Sequence, residues 1–200
     1  ANESGYSVRV TTLQDDEPIF GIAHCQGALA GAHYQMYNSL YPDLGLDRWF
    51  GVLGCKSVRE AIDRGVIVLH AQAMDTNRIA GYISCRICYG DGSGARAAAS
   101  EADVPHAKIN NIIILKRHRG HGVAKMLLDE LMDYLSATCP SVTADMRIAV
   151  AERNARAMDW YRRLGFAETG HWAAFPDFPV TFFNMQRKMD AGDFDDIFAS

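Results

Sequence analysis

The chain has 200 residues and a mass of 22.1 kDa, with 48% hydrophobic and 22% charged residues. That is the balance of one ordinary globular domain with enough apolar material for a core; it excludes a disordered chain, a collagen-like repeat and a disulfide mini-scaffold. A formal charge of −4 and a pI near 6.0 argue against a dedicated nucleic-acid binder, and no apolar run reaches membrane-span length. Ser7 to Leu13 alternates apolar and polar residues and reads as a first strand. Pro18 to Tyr41 has helical spacing through Ile19, Ile22, Ala23, Ala30 and Met36, and reads as one broken helix or two. Ser57 to Arg64 reads as a short helix, with Ser57 and Glu60 as a capping box and Gly65 as its stop. Val66 to Ala73 and Ile79 to Tyr89 are two strands of a hairpin around the turn at Asp75 to Asn77. Gly90 to Ala107 is a long loop rich in Gly, Ala and Ser. Ile109 to Leu115 is a strand whose apolar run from Ile112 to Leu115 predicts burial on both faces.

A turn from Lys116 to Gly122 then opens a helix from Val123 to Ser136. Its apolar stripe is Val123, Ala124, Leu127, Leu128, Leu131, Tyr134 and Leu135. Met146 to Val150 is a further strand. Asn154 caps a helix that runs to Arg163 and stops at Gly165. Phe166 to Trp172 and Val180 to Lys188 are two late strands, and most of the aromatic residues around them read as core. Residues 1–189 read as a single domain and 190–200 as an acidic tail. The alternation of strands and helices predicts a mixed α/β or α+β sheet with helices on both faces.

The five cysteines are a poor disulfide framework. Cys85 and Cys88 lie three apart on a strand and so face opposite ways, against a metal or redox pair. No metal is expected. The chain opens Ala1-Asn2-Glu3-Ser4, without an apolar signal core or an Arg-rich transit pattern. Free thiols and this opening make the cytoplasm the expected location.

The stretch that carries chemistry is Ile112 to Leu128. A strand feeds a glycine turn that opens directly into a helix, leaving backbone N–H groups unpaired at the positive end of a helix dipole. Such a turn suits a pyrophosphate. A P-loop is absent, and Lys125 stands where a dinucleotide fingerprint needs its third small residue. The R/Q-x-x-G-x-G/A turn is met twice, as Arg117-x-x-Gly120-x-Gly122 and as Arg119-x-x-Gly122-x-Ala124. His118 and His121 beside it read as solvated turn residues.

With the Leu127-Leu128 pair after the second register, this segment resembles the GNAT superfamily of acyl-CoA-dependent N-acetyltransferases. Asn154-x-x-Ala157-x-x-x-Tyr161-x-x-x-Gly165-Phe166 is similar to the family's second segment. The resemblance covers Val66 to Lys188 and is only in outline before that. It implies a mostly antiparallel sheet of about seven strands flanked by helices on both faces. It implies acetyl-CoA as co-substrate, with the pyrophosphate on the amides of Gly120, His121, Gly122, Val123, Ala124 and Lys125, and Arg119 opening the turn. Ile112, Ile113 and Ile114 would pair with the pantetheine arm, Asn154 would contact the cofactor, and Tyr161 would be the general acid near the sulfur. The implied reaction moves acetyl to a primary amine, of a small molecule or of a protein or peptide, in a ternary complex. The alternatives are a non-catalytic acyl-CoA-binding or regulatory module and a transferase for longer acyl groups. No nucleic acid or membrane is expected as a partner, and a homodimer through the late strands is what many members of the family form.

The general base has no assignment from sequence. Ala149 stands where N-terminal acetyltransferases of ribosomal proteins carry Glu, and Asn110 and Asn111 stand where histone acetyltransferases do. Glu152, Asp145 and residues 34–47 are the candidates.

Overall fold

The alternation of short β-rich runs with amphipathic runs is realised as a mixed α/β fold. A computed structural model describes residues 5–24, 39–41, 58–89, 105–140, 142, 145–173 and 180–188. The Ser57 cap, residues 25–38 of the expected helical stretch, residues 90–104 of the loop expected at 90–107, the aromatic stretch at 174–179 and the acidic tail lie outside the described residues, and the last two residues of that loop, His106 and Ala107, are already strand. The strands are β1 (Tyr6–Val10), β2 (Ile67–Ala73), β3 (Arg78–Cys88), β4 (His106–Ile114), β5 (Asp145–Ala151), β6 (Ala167–Ala173) and β7 (Thr181–Lys188). Among the described residues the helices are α1 (residues 16–24), α2 (Val58–Asp63), α3 (Val123–Thr138) and α4 (Ala155–Arg163), and residues 39–40 are also helical. The strands form one seven-stranded sheet in the order β1-β2-β3-β4-β5-β7-β6. The β4–β5 pair is parallel; β1–β2, β2–β3, β5–β7 and β6–β7 are antiparallel. None of the described helices is long and apolar enough to cross a membrane.

The chain divides into two compact units, one of residues 1–86 and 110–133 and one of residues 87–109 and 134–200. In the first, β2 is buried from Val68 to Ala73, so both of its faces are covered. One face packs Val68, Ile79, Tyr82 and Ile113 with Ile19 and Ile22 of α1 and Val58 of α2. The first strand stops at Val10, short of the expected Leu13, because the next residues build the entry to α1. Asp15 accepts hydrogen bonds from the Thr12 amide at 2.6 Å and the Thr12 hydroxyl at 2.8 Å, and its carbonyl receives the Ile19 amide. These bonds hold the Asp15 carboxyl below its ordinary range, the backbone bond contributing most. Gly65, at φ +80°, ends α2 as its sequence position predicts.

The expected two-faced burial of Ile112–Leu115 is not observed. Only Ile113 is fully buried; Ile112, Ile114 and Leu115 are half-buried. The reason is the short ladder on the far side of β4, where Ala107, Lys108 and Ile109 pair with Met146, Arg147 and Ile148 and no described pairing continues.

His70, at the centre of β2, is 2% exposed. Its Nδ1 lies 2.8 Å from the Thr11 hydroxyl, and its Nε2 is buried without a partner. Burial, then the Arg9 guanidinium, lowers its pKa from the ordinary 6.5 to about 4, with Asp15 opposing. A His that folds neutral contributes stability in full above about pH 6.5, and that contribution is lost as pH falls towards 4. The loss should be on the order of 2–3 kcal/mol. Urea unfolding at neutral pH and near pH 4 is expected to show His70→Gln losing less stability than the parent. An equal loss in both would remove His70 as the cause.

In the second unit, β5 pairs with β7 from Asp145↔Lys188 to Ala151↔Phe182, and β7 carries β6 on its other edge. Met146, Ile148, Val150 and Met185 are buried, giving the sheet an apolar inner side, while β6 is exposed from Ala167 to His171. Phe182 and Phe183 are half-buried, less than the core positions expected of them.

Candidate active site

One candidate segment, in the first unit, is the connection from β4 to α3. Leu115 donates its amide to the Ala80 carbonyl at 2.9 Å, closing the strand end, and Lys116–His118 forms one 3-10 turn. Gly120 and Gly122 follow with φ of +83° and +74°, a left-handed backbone that glycine adopts without cost. Among the described residues, a Cβ at either would meet no atom beyond its chain neighbours within 4 Å, so the turn is open there. The first intrahelical bond runs from the Met126 amide to the Gly122 carbonyl at 3.1 Å. A helix that starts there leaves the amides of its first turn, Val123 and Ala124 among them, without intrahelical acceptors. Behind them α3 buries Val123, Leu127, Leu128, Leu131 and Leu135 of the expected stripe and Met132 besides, while Ala124 and Tyr134 are half-buried.

The charges of the turn are not all free. Lys116, Arg117 and Arg119 are exposed, and Arg119 Nε donates to the Ile114 carbonyl at 3.0 Å. Lys125, expected to add positive charge, is paired with Asp129 at 2.7 Å one turn along α3, which offsets much of its field. His118 is not the solvated side chain expected from sequence. It is half-buried, with Nδ1 3.1 Å from the Tyr6 hydroxyl and Nε2 accepting from Arg117 Nε at 2.8 Å. Burial, Arg117 and His121 lower its pKa, against an opposing pull from Asp75. His121 is exposed. Glycines at left-handed φ, free amides at a helix start and basic side chains fit a pyrophosphate.

A separate candidate segment, in the second unit, is the connection from β5 through α4. Asn154 is the N-cap: its Oδ1 accepts from the Ala157 amide at 3.3 Å, and its own amide donates to the Ala151 carbonyl at 2.8 Å. Tyr161, on the buried side of α4, is 5% exposed and contacts the rings of Trp160 and Phe166, with centroids at 4.8 and 5.5 Å. Burial raises its pKa far above the ordinary phenol value, so it stays protonated at working pH. Gly165, at φ +81°, ends the helix, and the Phe166 amide donates to the Tyr161 carbonyl at 3.0 Å.

The candidates for a base separate. Asp145 begins β5 and lies 3.6 Å from Arg147. Six residues of strand, about 20 Å, separate it from the Ala151 end that leads to Asn154. Glu152 follows β5 directly, is half-buried and donates its amide to the Thr181 carbonyl at 3.0 Å. Asn111 donates to the Ser84 hydroxyl at 3.4 Å, and Asn110 is exposed. Residues 34–38 and 42–47 lie outside the described residues. Among the described residues, no three His, Cys, Asp or Glu side chains are grouped to hold a metal ion. The side chain missed from sequence is Tyr6. It stands 112 residues from His118, and no local signal marks it.

A family model, described as the acetyltransferase (GNAT) family, matches residues 32–166. No curated protein sequence matches the chain. Several solved structures share its fold. NAA60 of Arabidopsis thaliana in complex with acetyl-CoA is 15% identical, with a TM-score of 0.55, over 92% of this chain and 98% of that one. The NatC complex bound to Gag peptide and CoA contains a chain 14% identical, with a TM-score of 0.58, over 92% and 98%. The smu.2055 protein of Streptococcus mutans is 12% identical, with a TM-score of 0.59, over 92% and 99%. The sheet order, the glycine turn and the capped α4 thus occur in a chain whose residues 32–166 match that family's model. The chain belongs to the GNAT family and is an acyl-CoA-dependent acetyltransferase.

Proposed function

We propose that the protein transfers an acetyl group from acetyl-CoA to a primary amine, by direct attack in a ternary complex. The observation that carries this reading is the turn between β4 and α3. Its two left-handed glycines face open space where amides at a helix start converge.

In this reading the amides of Gly120, His121, Gly122, Val123, Ala124 and Lys125 hold the pyrophosphate, with Arg119 bracing the turn through Ile114. The backbone of Ile112, Ile113 and Ile114 pairs with the pantetheine arm, and an amide of that strand donates to the thioester oxygen as charge gathers on it. Asn154 contacts the cofactor while capping α4. The acceptor is a primary amine of a small molecule or of a peptide. Its reference pKa is about 10.4, so it must lose a proton before attack. Glu152 is the described carboxylate we assign to take it, directly or through water. The nitrogen then bonds to the carbonyl carbon, the C–S bond breaks, and the thiolate leaves.

Tyr161 serves that thiolate. A thiol has a pKa of about 8.5, well below that of the buried phenol, so full proton transfer is uphill. Its main contribution is a hydrogen bond to the developing charge, with a donor in place at every working pH. Tyr161→Phe is therefore expected to lower kcat by about tenfold, less than loss of a full proton donor. The KM for acetyl-CoA should move little. A kcat unchanged by the substitution would remove Tyr161 from the chemistry.

The deciding experiment is isothermal titration with acetyl-CoA, CoA and NADH, followed by thiol release across a panel of amines. Acetyl-CoA binding with amine-dependent thiol release supports the transferase. Binding without release from any amine favours an acyl-CoA-binding module, and no binding by a folded sample overturns the reading.

A further inference from the structure

The glycine turn is braced by a strand far from it in sequence. Two ties hold its β4 end: the Leu115 amide on the Ala80 carbonyl, and Arg119 Nε on the Ile114 carbonyl. Tyr6 reaches its middle. That residue begins β1, in register with Ala73 of β2, and the neighbouring Gly5 carbonyl accepts from the Met74 amide at 3.0 Å. Its ring stands edge-on to His118 with centroids 5.7 Å apart and tilted over His121 at 6.4 Å. Arg117 Nε donates to His118 Nε2, so the ring proton sits on Nδ1 and donates to the Tyr6 hydroxyl. His118 is then a neutral imidazole with both nitrogens engaged.

We infer that Tyr6 is a positioning residue for acyl-CoA: by holding His118 it keeps the turn in the conformation whose amides grip the pyrophosphate. This rests on the acyl-CoA reading above. The physical reason is preorganisation. A turn with two glycines has many accessible conformations, and ordering them on binding costs affinity. A brace anchored in the sheet removes part of that cost before the ligand arrives. Tyr6 does this through His118 and touches no reacting atom.

The test titrates the full chain with acetyl-CoA and with S-acetylpantetheine, which has the thioester arm but no pyrophosphate. Tyr6→Phe is expected to weaken acetyl-CoA about five- to tenfold, the effect of one neutral hydrogen bond. S-acetylpantetheine should bind Tyr6→Phe as it binds the parent, since a general loss of structure would weaken both ligands. His118→Ala should weaken acetyl-CoA alone in the same way, and adding Tyr6→Phe to it should cause no further loss. Unchanged acetyl-CoA affinity in Tyr6→Phe, equal weakening of both ligands, or additive losses in the double variant would overturn the brace. A parent chain that binds no acetyl-CoA overturns the functional reading, and the brace with it.

Discussion

Gly122→Glu should reduce acetyl-CoA affinity by about a hundredfold or more while leaving the fold intact, an effect of about 3 kcal/mol. Two effects add. Residue 122 has φ +74°, where any side chain strains the backbone by about 1–2 kcal/mol. Among the described residues, a Cβ there meets no atom beyond its chain neighbours within 4 Å, so packing by them does not exclude the carboxylate from the space assigned to the pyrophosphate. There it opposes a second anion at close range, which supplies the larger share. Gly122→Ala separates the two effects. It keeps the strain and lacks the charge, and should weaken binding by about five- to tenfold. Lys116, Arg117 and Arg119 remain exposed around the turn in both variants, so the difference between Ala and Glu reports the charge at residue 122. Titration with acetyl-CoA, beside a thermal unfolding curve for each variant, is the measurement. A Gly122→Glu protein that is folded and binds within tenfold of the parent would sink the anion turn.

Gly81→Ala should cost about 3 kcal/mol or more of stability, the upper range for overpacking a core. Gly81 lies within β3 with an ordinary strand backbone, so its reason is space and not φ. A Cβ there would overlap the Ile113 carbonyl oxygen and sit 2.7 Å from Ile114 Cδ1 and 3.1 Å from Ile114 Cα. Two of those three neighbours are backbone and cannot turn aside as a side chain does. Relief requires β4 to move off β3, which breaks the local fit of the strand proposed to carry the thioester. Urea unfolding should show the loss, and any folded fraction should bind acetyl-CoA more weakly than the parent. A neutral substitution would mean that β4 yields freely at Ile113, and the strand's role in fixing the carbonyl would fall with it. Gly21 on α1 is a second such case, since its Cβ would overlap Ile79 Cγ1 and sit 3.2 Å from Ile79 Cβ, the stiff branched root of a buried side chain.

Several features of the site are legible in the chain because they depend on neighbours a few residues apart. Asn154 caps α4 through the amide of Ala157, three residues on, and Gly165 ends it with a positive φ. The stripe from Val123 to Leu135 repeats at the helix period, and five of its seven expected positions are buried. The hairpin of β2 and β3 follows from two apolar runs around Asp75 to Asn77. A turn, a cap and an amphipathic face are set by local backbone geometry, so residue type and spacing reveal them.

Other features depend on which strands become neighbours and in what register, and only the tertiary structure decides them. The Ile112–Leu115 run looks doubly buried by composition, yet its burial depends on where the ladder to β5 stops, at Ile109. His70 reads as one polar residue in a strand. Its desolvation comes from sitting between β1 and β3, where Arg9 and Tyr82 are its partners in register. Tyr6 reaches His118 only because β1 pairs with β2 so that Tyr6 lies opposite Ala73, at the sheet end where the turn leaves β4. Sequence by itself determined the family's two motifs, the mixed α/β class and the local frame of the glycine turn. Sheet order and register decided which distant side chain reaches that turn and which groups are taken out of water. Those are long-range contacts, and their energies arise only when distant segments exclude solvent together.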